Sequence, residues 1–267
     1  MLKTRTLTAA VLLAVFGSAL FLLAQPGWIA FCTALLGAAA WEWGGLASLA
    51  PPGRFIYSSL LVLLFVAIPQ LAGAYAPAWV YTAAGVFWVV LAPLWMSRSS
   101  PVGGTPLLLA VGVLALVPAF AALIELRAGH PWLLLAVLGT AWISDSAAYL
   151  VGRRFGRRKL APSISPGKTW EGVAGALVAV AVYALAWVAL GAPDNRWLGG
   201  PLAIPALAAV LLALAVVGII GDLFESLIKR QAGVKDSGNL LPGHGGILDR
   251  IDAPVAMLPL AVLAFMR

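Results

Sequence analysis

The residues able to do chemistry gather between Asp222 and Asp252, in D-L-F-E-S-L-I-K-R-Q-A-G-V-K-D-S-G-N-L-L-P-G-H-G-G-I-L-D-R-I-D. Asp222, Glu225, Ser226 and Lys229 fall at i, i+3, i+4 and i+7. On a helix that spacing sets two carboxylates, a hydroxyl and an ammonium along one stripe. An acid at the centre of a membrane-spanning helix costs about 2.5–3.5 kcal/mol, so the stripe is expected to line a polar cavity. Further on, Gly243, Gly245 and Gly246 surround His244, and Asp249 and Asp252 flank Arg250. Glycine turns let the backbone approach a ligand and can form an anion-binding nest of amides, with the histidine beside it.

Two other stretches add to this set. Asp145 stands in W-I-S-D-S-A-A-Y, inside an apolar run, where an acid defaults to a functional reading over a structural helix-to-helix hydrogen bond. Lys168 stands in S-P-G-K-T-W-E-G and can hold phosphate as a point charge, while Glu171 is expected to open the helix that follows. Gly167-Lys168-Thr169 is not read as a phosphate loop: Pro162 takes the place of the first glycine, and no strand is expected before it. Glu42, in W-E-W, reads equally as structural. Acids, lysines and a glycine turn together suit metal-assisted phosphoryl or nucleotidyl transfer on a hard, oxygen-ligated cation such as Mg2+. Zinc does not fit, since there is one cysteine and no second histidine nearby.

The rest of the chain must carry these residues. Of 267 residues 62% are hydrophobic and only 10% charged, against about 25% charged in soluble domains. The class is therefore all-α, a polytopic membrane protein. Nine spans are expected: Leu7–Ala24, Trp28–Leu49, Phe55–Leu71, Ala78–Met96, Leu107–Leu126, Trp132–Val151, Gly172–Leu190, Leu202–Ile228 and Ala253–Met266, with the second and third open to rearrangement around Pro51-Pro52. Met1–Ala24 reads as a retained first helix rather than a cleaved signal peptide. The single cysteine, Cys32, reads as a buried apolar residue and rules out an intramolecular disulfide.

With the N-terminus inside the cell and the C-terminus outside, fourteen of the seventeen lysines and arginines fall on the cytoplasmic side, leaving Arg127, Arg196 and Arg267. This sorting accounts for the net charge of +7 without a nucleic-acid partner. The Arg153–Lys159 cluster then reads first as a positive-inside anchor. Residues 1–131 are expected to be mainly scaffold. Residues 132–267 form the catalytic half of one membrane domain, with cytoplasmic loops at 152–171 and 229–252.

Ser226–Asp252 resembles the signature of the phosphatidate cytidylyltransferase (CDP-diacylglycerol synthase) family, without a departure from its pattern. Trp142–Gly156 and Ser165–Gly172 resemble two further family segments in the expected order, while the first five spans match mainly in character. The resemblance implies a bacterial inner-membrane enzyme of phospholipid biosynthesis, its site facing the cytoplasm, that joins CTP and phosphatidic acid into CDP-diacylglycerol and pyrophosphate. It also implies Mg2+, with K+ as a second cation, and a homodimer. Carried over residue by residue, it makes Asp222 and Asp249 metal ligands with Asp145 as a further one. Ser226, Lys229 and His244 join the first two as catalytic residues. Lys168, Arg230, Lys235, Asp236, Gly245, Gly246 and Arg250 become substrate-binding. The residues alone leave other classes open, namely a CTP-dependent lipid kinase, a phospho-sugar transferase acting on a polyprenyl phosphate, or an organic-anion transporter. The last is disfavoured because the polar residues cluster at one surface and no inverted repeat is visible.

Overall fold

The computed structural model describes the backbone of all residues except 1, 74, 99–103, 190–202, 242 and 244, and the side chains of these and of 2–7, 9, 203 and 204 are likewise left aside. Its helices are α1 (Leu2–Leu22), α2 (Gln25–Leu46), α3 (Pro51–Ala72), α4 (Ala78–Ser97), α5 (Thr105–Gly129), α6 (Pro131–Phe155), α7 (Trp170–Ala189), α8 (Ala203–Gln231) and α9 (Leu248–Phe265). Seven of these, α2 to α8, are long and apolar enough to cross a membrane, against the nine expected. Among the described residues of α1, Ala10–Leu22 form an apolar stretch, and α9 is not among the seven. Pro51 and Pro52 do not disturb the second and third spans: they occupy the first turn of α3, where the missing N–H costs nothing.

The bundle is built inward on α5 and α9. α9 packs against α8, α5 and α4, and its face from Ala253 to Val262 is almost wholly buried, whereas α3 turns Phe55, Leu60 and Leu63 outward. α4 contains one wide turn, Phe87–Leu91, ahead of Pro93. A proline ring cannot pack against the carbonyl four residues back, and the helix widens to make room. That turn presents Phe87 and Trp88 to Phe224 of α8, with ring centroids 5.4 and 5.6 Å away, and Trp95 closes a third side at 5.8 Å. All three contacts are edge-to-face, each worth about 0.5–1.5 kcal/mol beyond the buried area.

Both charged loops are more ordered than expected. α6 runs on to Phe155, and a hairpin follows in which β1 (Lys159–Ala161) pairs antiparallel with β2 (Ser165–Thr169), Lys159 opposite Thr169. The all-α expectation is corrected by this small element. A strand does therefore lead into α7, contrary to expectation, but without a glycine-rich loop between them. Ile164 at the hairpin turn packs on Leu223 and Leu227 of α8, which fixes the hairpin over that helix. The second loop shrinks to 232–247, because α8 continues to Gln231 and α9 starts at Leu248. Lys229, Arg230, Asp249, Arg250 and Asp252 are thus helical residues. Leu241 and Gly245 form a single bridge across the glycine turn, and Gly243 and Gly245 take φ of 75° and 78°, as that sequence requires.

Candidate active site

The expected stripe exists. Near the end of α8, Glu225 and Lys229 are buried and pair at 3.2 Å, while Asp222 and Ser226 are half-buried. The hairpin delivers Lys168 to Asp222, Nζ to Oδ2 2.5 Å. This hairpin is held from behind by α7, whose Glu171 accepts the Arg157 and Arg158 amides at 3.0 and 3.2 Å. Thr169 Oγ1 accepts the Gly172 amide at 3.2 Å and so caps α7.

α9 reaches the same place because α8 and α9 touch at Gly221. A Cβ there would lie 2.6 Å from the Asp252 carbonyl oxygen and 2.8 Å from Ala256. The contact sets Asp252 beside Asp222 and Glu225, and Asp145 of α6 lies within electrostatic range of Asp222, Asp252, Lys168 and Arg250. Asp252 was visible in the sequence as a loop acid. Its membership of this group becomes visible only through the glycine contact.

Asp249, in the first turn of α9, is engaged at both oxygens. Oδ1 accepts Lys229 at 2.6 Å, and Oδ2 accepts the Gly246 and Ser237 amides at 2.8 and 2.9 Å, with the Ser237 hydroxyl oxygen 3.0 Å away. Burial opposes its charged form, but the ammonium and the two amides prevail and hold the carboxyl below the usual range. The glycine turn therefore differs from the expected anion nest. Its Gly246 amide serves Asp249, and the next two amides, of Ile247 and Leu248, donate to Glu42 at 3.0 and 2.9 Å. The Glu42 carboxylate is buried at 3% exposure, and it also accepts the Ser237 hydroxyl at 2.9 Å. Sequence reasoning left Glu42 undecided and passed over Ser237. The available signal was the cost of an acid in a spanning helix, which demands donors.

Arg230, Lys235, Asp236 and Arg250 are exposed at the same end of the bundle, and Arg250 faces Asp145. The expectation for His244 lies outside the described residues.

Among the described residues no three acidic, cysteine or histidine side chains form a ready-made metal cage. Mg2+ does not need one, since it is held by one or two carboxylates together with waters and substrate phosphates. The donor set suits it. Asp145, Asp222 and Asp252 offer hard oxygen donors, with Lys168 and Arg250 as local cations.

Fold and site together define a multi-pass helical membrane protein with an acid- and lysine-lined site at one end of the bundle, suited to phosphate chemistry. The chain belongs to the cytidylyltransferase family, whose pattern it matches over residues 3–266. It is 42% identical to the phosphatidate cytidylyltransferase of Pseudomonas aeruginosa over 271 residues, covering 97% of this chain and 95% of that one. It is 38% identical to the enzyme of the same name from Haemophilus influenzae, covering 97% and 96%. With that of Bacillus subtilis it shares 48% identity over 120 residues, 44% of this chain and 41% of the other.

Proposed function

We propose that this protein is an integral membrane nucleotidyltransferase that moves CMP from CTP to phosphatidic acid, giving CDP-diacylglycerol and pyrophosphate for phospholipid synthesis. Near-complete coverage of two relatives with that activity in their names supports the reading. The observation that carries the mechanism is the meeting of Lys168 and Asp222, from a hairpin and a helix, beside Asp145 and Asp252.

In the proposed reaction a phosphate oxygen of phosphatidate attacks the α-phosphorus of CTP in line. The bond from the α-phosphorus to the bridging oxygen breaks, and pyrophosphate leaves with that electron pair. The attacking oxygen is already an anion, so no strong general base is required. Asp222 with Asp145, and Asp252 behind them, would hold Mg2+, whose charge would offset the negative charge developing on the phosphates. K+ is proposed as a second cation of the same acid group. As a phosphate arrives, Lys168 shifts its ammonium from Asp222 to a phosphate oxygen. Lys229 stays paired with Asp249 and Glu225 and keeps positive charge beneath the phosphates. A ligand role for Asp249 would require Lys229 to give way at Oδ1, so Asp249 is assigned first to holding the loop. His244 and the exposed Arg230, Lys235 and Arg250 are proposed to hold the nucleotide phosphates, with Ser226 and Asp236 beside them. The Gly246 amide is left out of phosphate binding because Asp249 engages it.

The positive-inside sorting supports a cytoplasmic N-terminus, an outward C-terminus and a site facing the cytoplasm, in a bacterial inner membrane. Phosphatidate keeps its acyl chains in the bilayer and its headgroup enters between α6 and α8. A homodimer is proposed on the family resemblance alone. The test is purified protein in lipid nanodiscs with Mg2+, phosphatidate and CTP labelled either in cytidine or in the γ-phosphate. Cytidine label entering lipid with release of pyrophosphate is expected. γ-Phosphate label in the lipid would instead make it a lipid kinase.

A further inference from the structure

Among the described residues Glu42 is the one member of the polar group supplied by the N-terminal half, and its environment is built to receive it. A Cβ at Gly238 or Gly246 would collide with its carboxylate. Oε1 accepts the Ile247 amide at 3.0 Å, and Oε2 accepts the Leu248 amide and the Ser237 hydroxyl, each at 2.9 Å. Those amides open α9, where the helix dipole favours a negative charge. The Ser237 hydroxyl also lies 3.0 Å from Asp249 Oδ2, and Asp249 Oδ1 holds Lys229. A continuous chain of contacts thus runs from α2 through the loop and α9 to the acid–lysine stripe of α8.

We propose that Glu42 is a positioning residue for the transfer reaction, acting through Ser237 on Asp249 and Lys229 and through the α9 amides on the start of that helix. This rests on the cytidylyltransferase reading. It makes α2 part of the catalytic architecture, where the sequence had suggested scaffold. The alternative, a buried carboxylate that only stabilises the fold, would act on the amount of folded protein and leave each folded molecule unchanged. The two effects are separable, because partners in the shell behind a reacting group typically change activity by about 10–100-fold when removed.

The test compares wild type, Glu42→Gln, Ser237→Ala and the double variant, each purified in nanodiscs and normalised to folded protein. Glu42→Gln keeps the volume but turns one acceptor into a donor facing donors. Its kcat is expected to fall about 30-fold, with the KM for phosphatidate changed less than about twofold. Ser237→Ala cuts the link to Asp249 while leaving both α9 amides on Glu42, and about a tenfold loss is expected. The double variant should be no slower than Glu42→Gln, since both act along one chain of contacts. Without turnover, the rise in melting temperature on adding Mg2+ and CTP should shrink in both single variants. Full kcat per folded molecule in either single variant overturns the proposal, as does a double-variant loss equal to the product of the single losses. If Glu42→Gln does not fold, Ser237→Ala decides alone. A wild-type protein that puts no cytidine into lipid refutes the activity and the inference together, whereas an active wild type with unaffected variants refutes only the inference.

Discussion

The bundle carries a polar cluster at each end, and they are built on opposite principles. At the far end, Glu125 accepts Tyr81 Oη at 2.8 Å through one oxygen and pairs with Arg267 at 2.8 Å through the other. Arg127 nearby donates to the Leu20 and Leu23 carbonyls and to Gln25, and its guanidinium stacks over Trp28 at 5.1 Å. Charge is matched there and the carboxylate is satisfied. At the site end, among the described residues, the acids Glu42, Asp145, Asp222, Glu225, Asp249 and Asp252 gather about three cations, Lys168, Lys229 and Arg250. Both clusters carry the desolvation cost of polar groups in an apolar bundle. The far cluster matches its carboxylate with one arginine, whereas at the site end the acids outnumber the cations, which is the imbalance that the proposed cation would offset.

Substitutions can break this contrast in order of severity. Asp222→Asn should lower turnover by about 1,000-fold or more, because the charge proposed to hold the cation is gone while shape and membrane insertion remain. Incorporation of labelled cytidine into lipid measures it, and near-normal turnover would remove Asp222 from the metal site. Gly221→Ala should cost about 100-fold, since displacement of α9 by a fraction of a methyl group moves Asp252 off Asp222. Helical content by circular dichroism should stay unchanged. Lys168→Met should raise the KM for CTP by about 10–100-fold, the loss of a charged hydrogen bond, with a smaller fall in kcat. Glu125→Gln sharpens the comparison from the other side. It should lower the melting temperature by about 2–4 °C per kcal/mol lost and leave kcat per folded molecule intact. Loss of turnover there would mean that the two ends are coupled.

The acids and lysines of the site were legible where the information is local. The i, i+3, i+7 spacing of Asp222, Glu225 and Lys229 needed only helical geometry, and seven of the expected spans needed only their length and apolarity. The short elements were misjudged. A three-residue strand and a five-residue strand containing Pro166 and Gly167 have little period to detect. The glycine turn was misread because an amide's partner cannot be read from its own residue. Gly246 seemed to offer its amide to a phosphate, but Asp249 takes it, and the carboxylate that takes the next two amides lies some 200 residues earlier. Asp252 joined Asp222 through a contact at Gly221 that has no signature in either segment alone.

The three rings about Phe224 have a consequence for how the enzyme can be divided. Phe224 sits between Asp222 and Glu225 in the chain but points to the opposite side of α8, so Phe87, Trp88 and Trp95 act as a rotation stop for the helix. If α8 turned about its long axis by one residue, roughly 100°, Asp222 would take the place of Gly221 against α9 or of Leu223 under the hairpin. A fragment beginning after α5 would keep the groups proposed to hold the phosphates and lose what keeps them aimed. Restoring α4 in trans should then recover more activity than any single change made within the fragment.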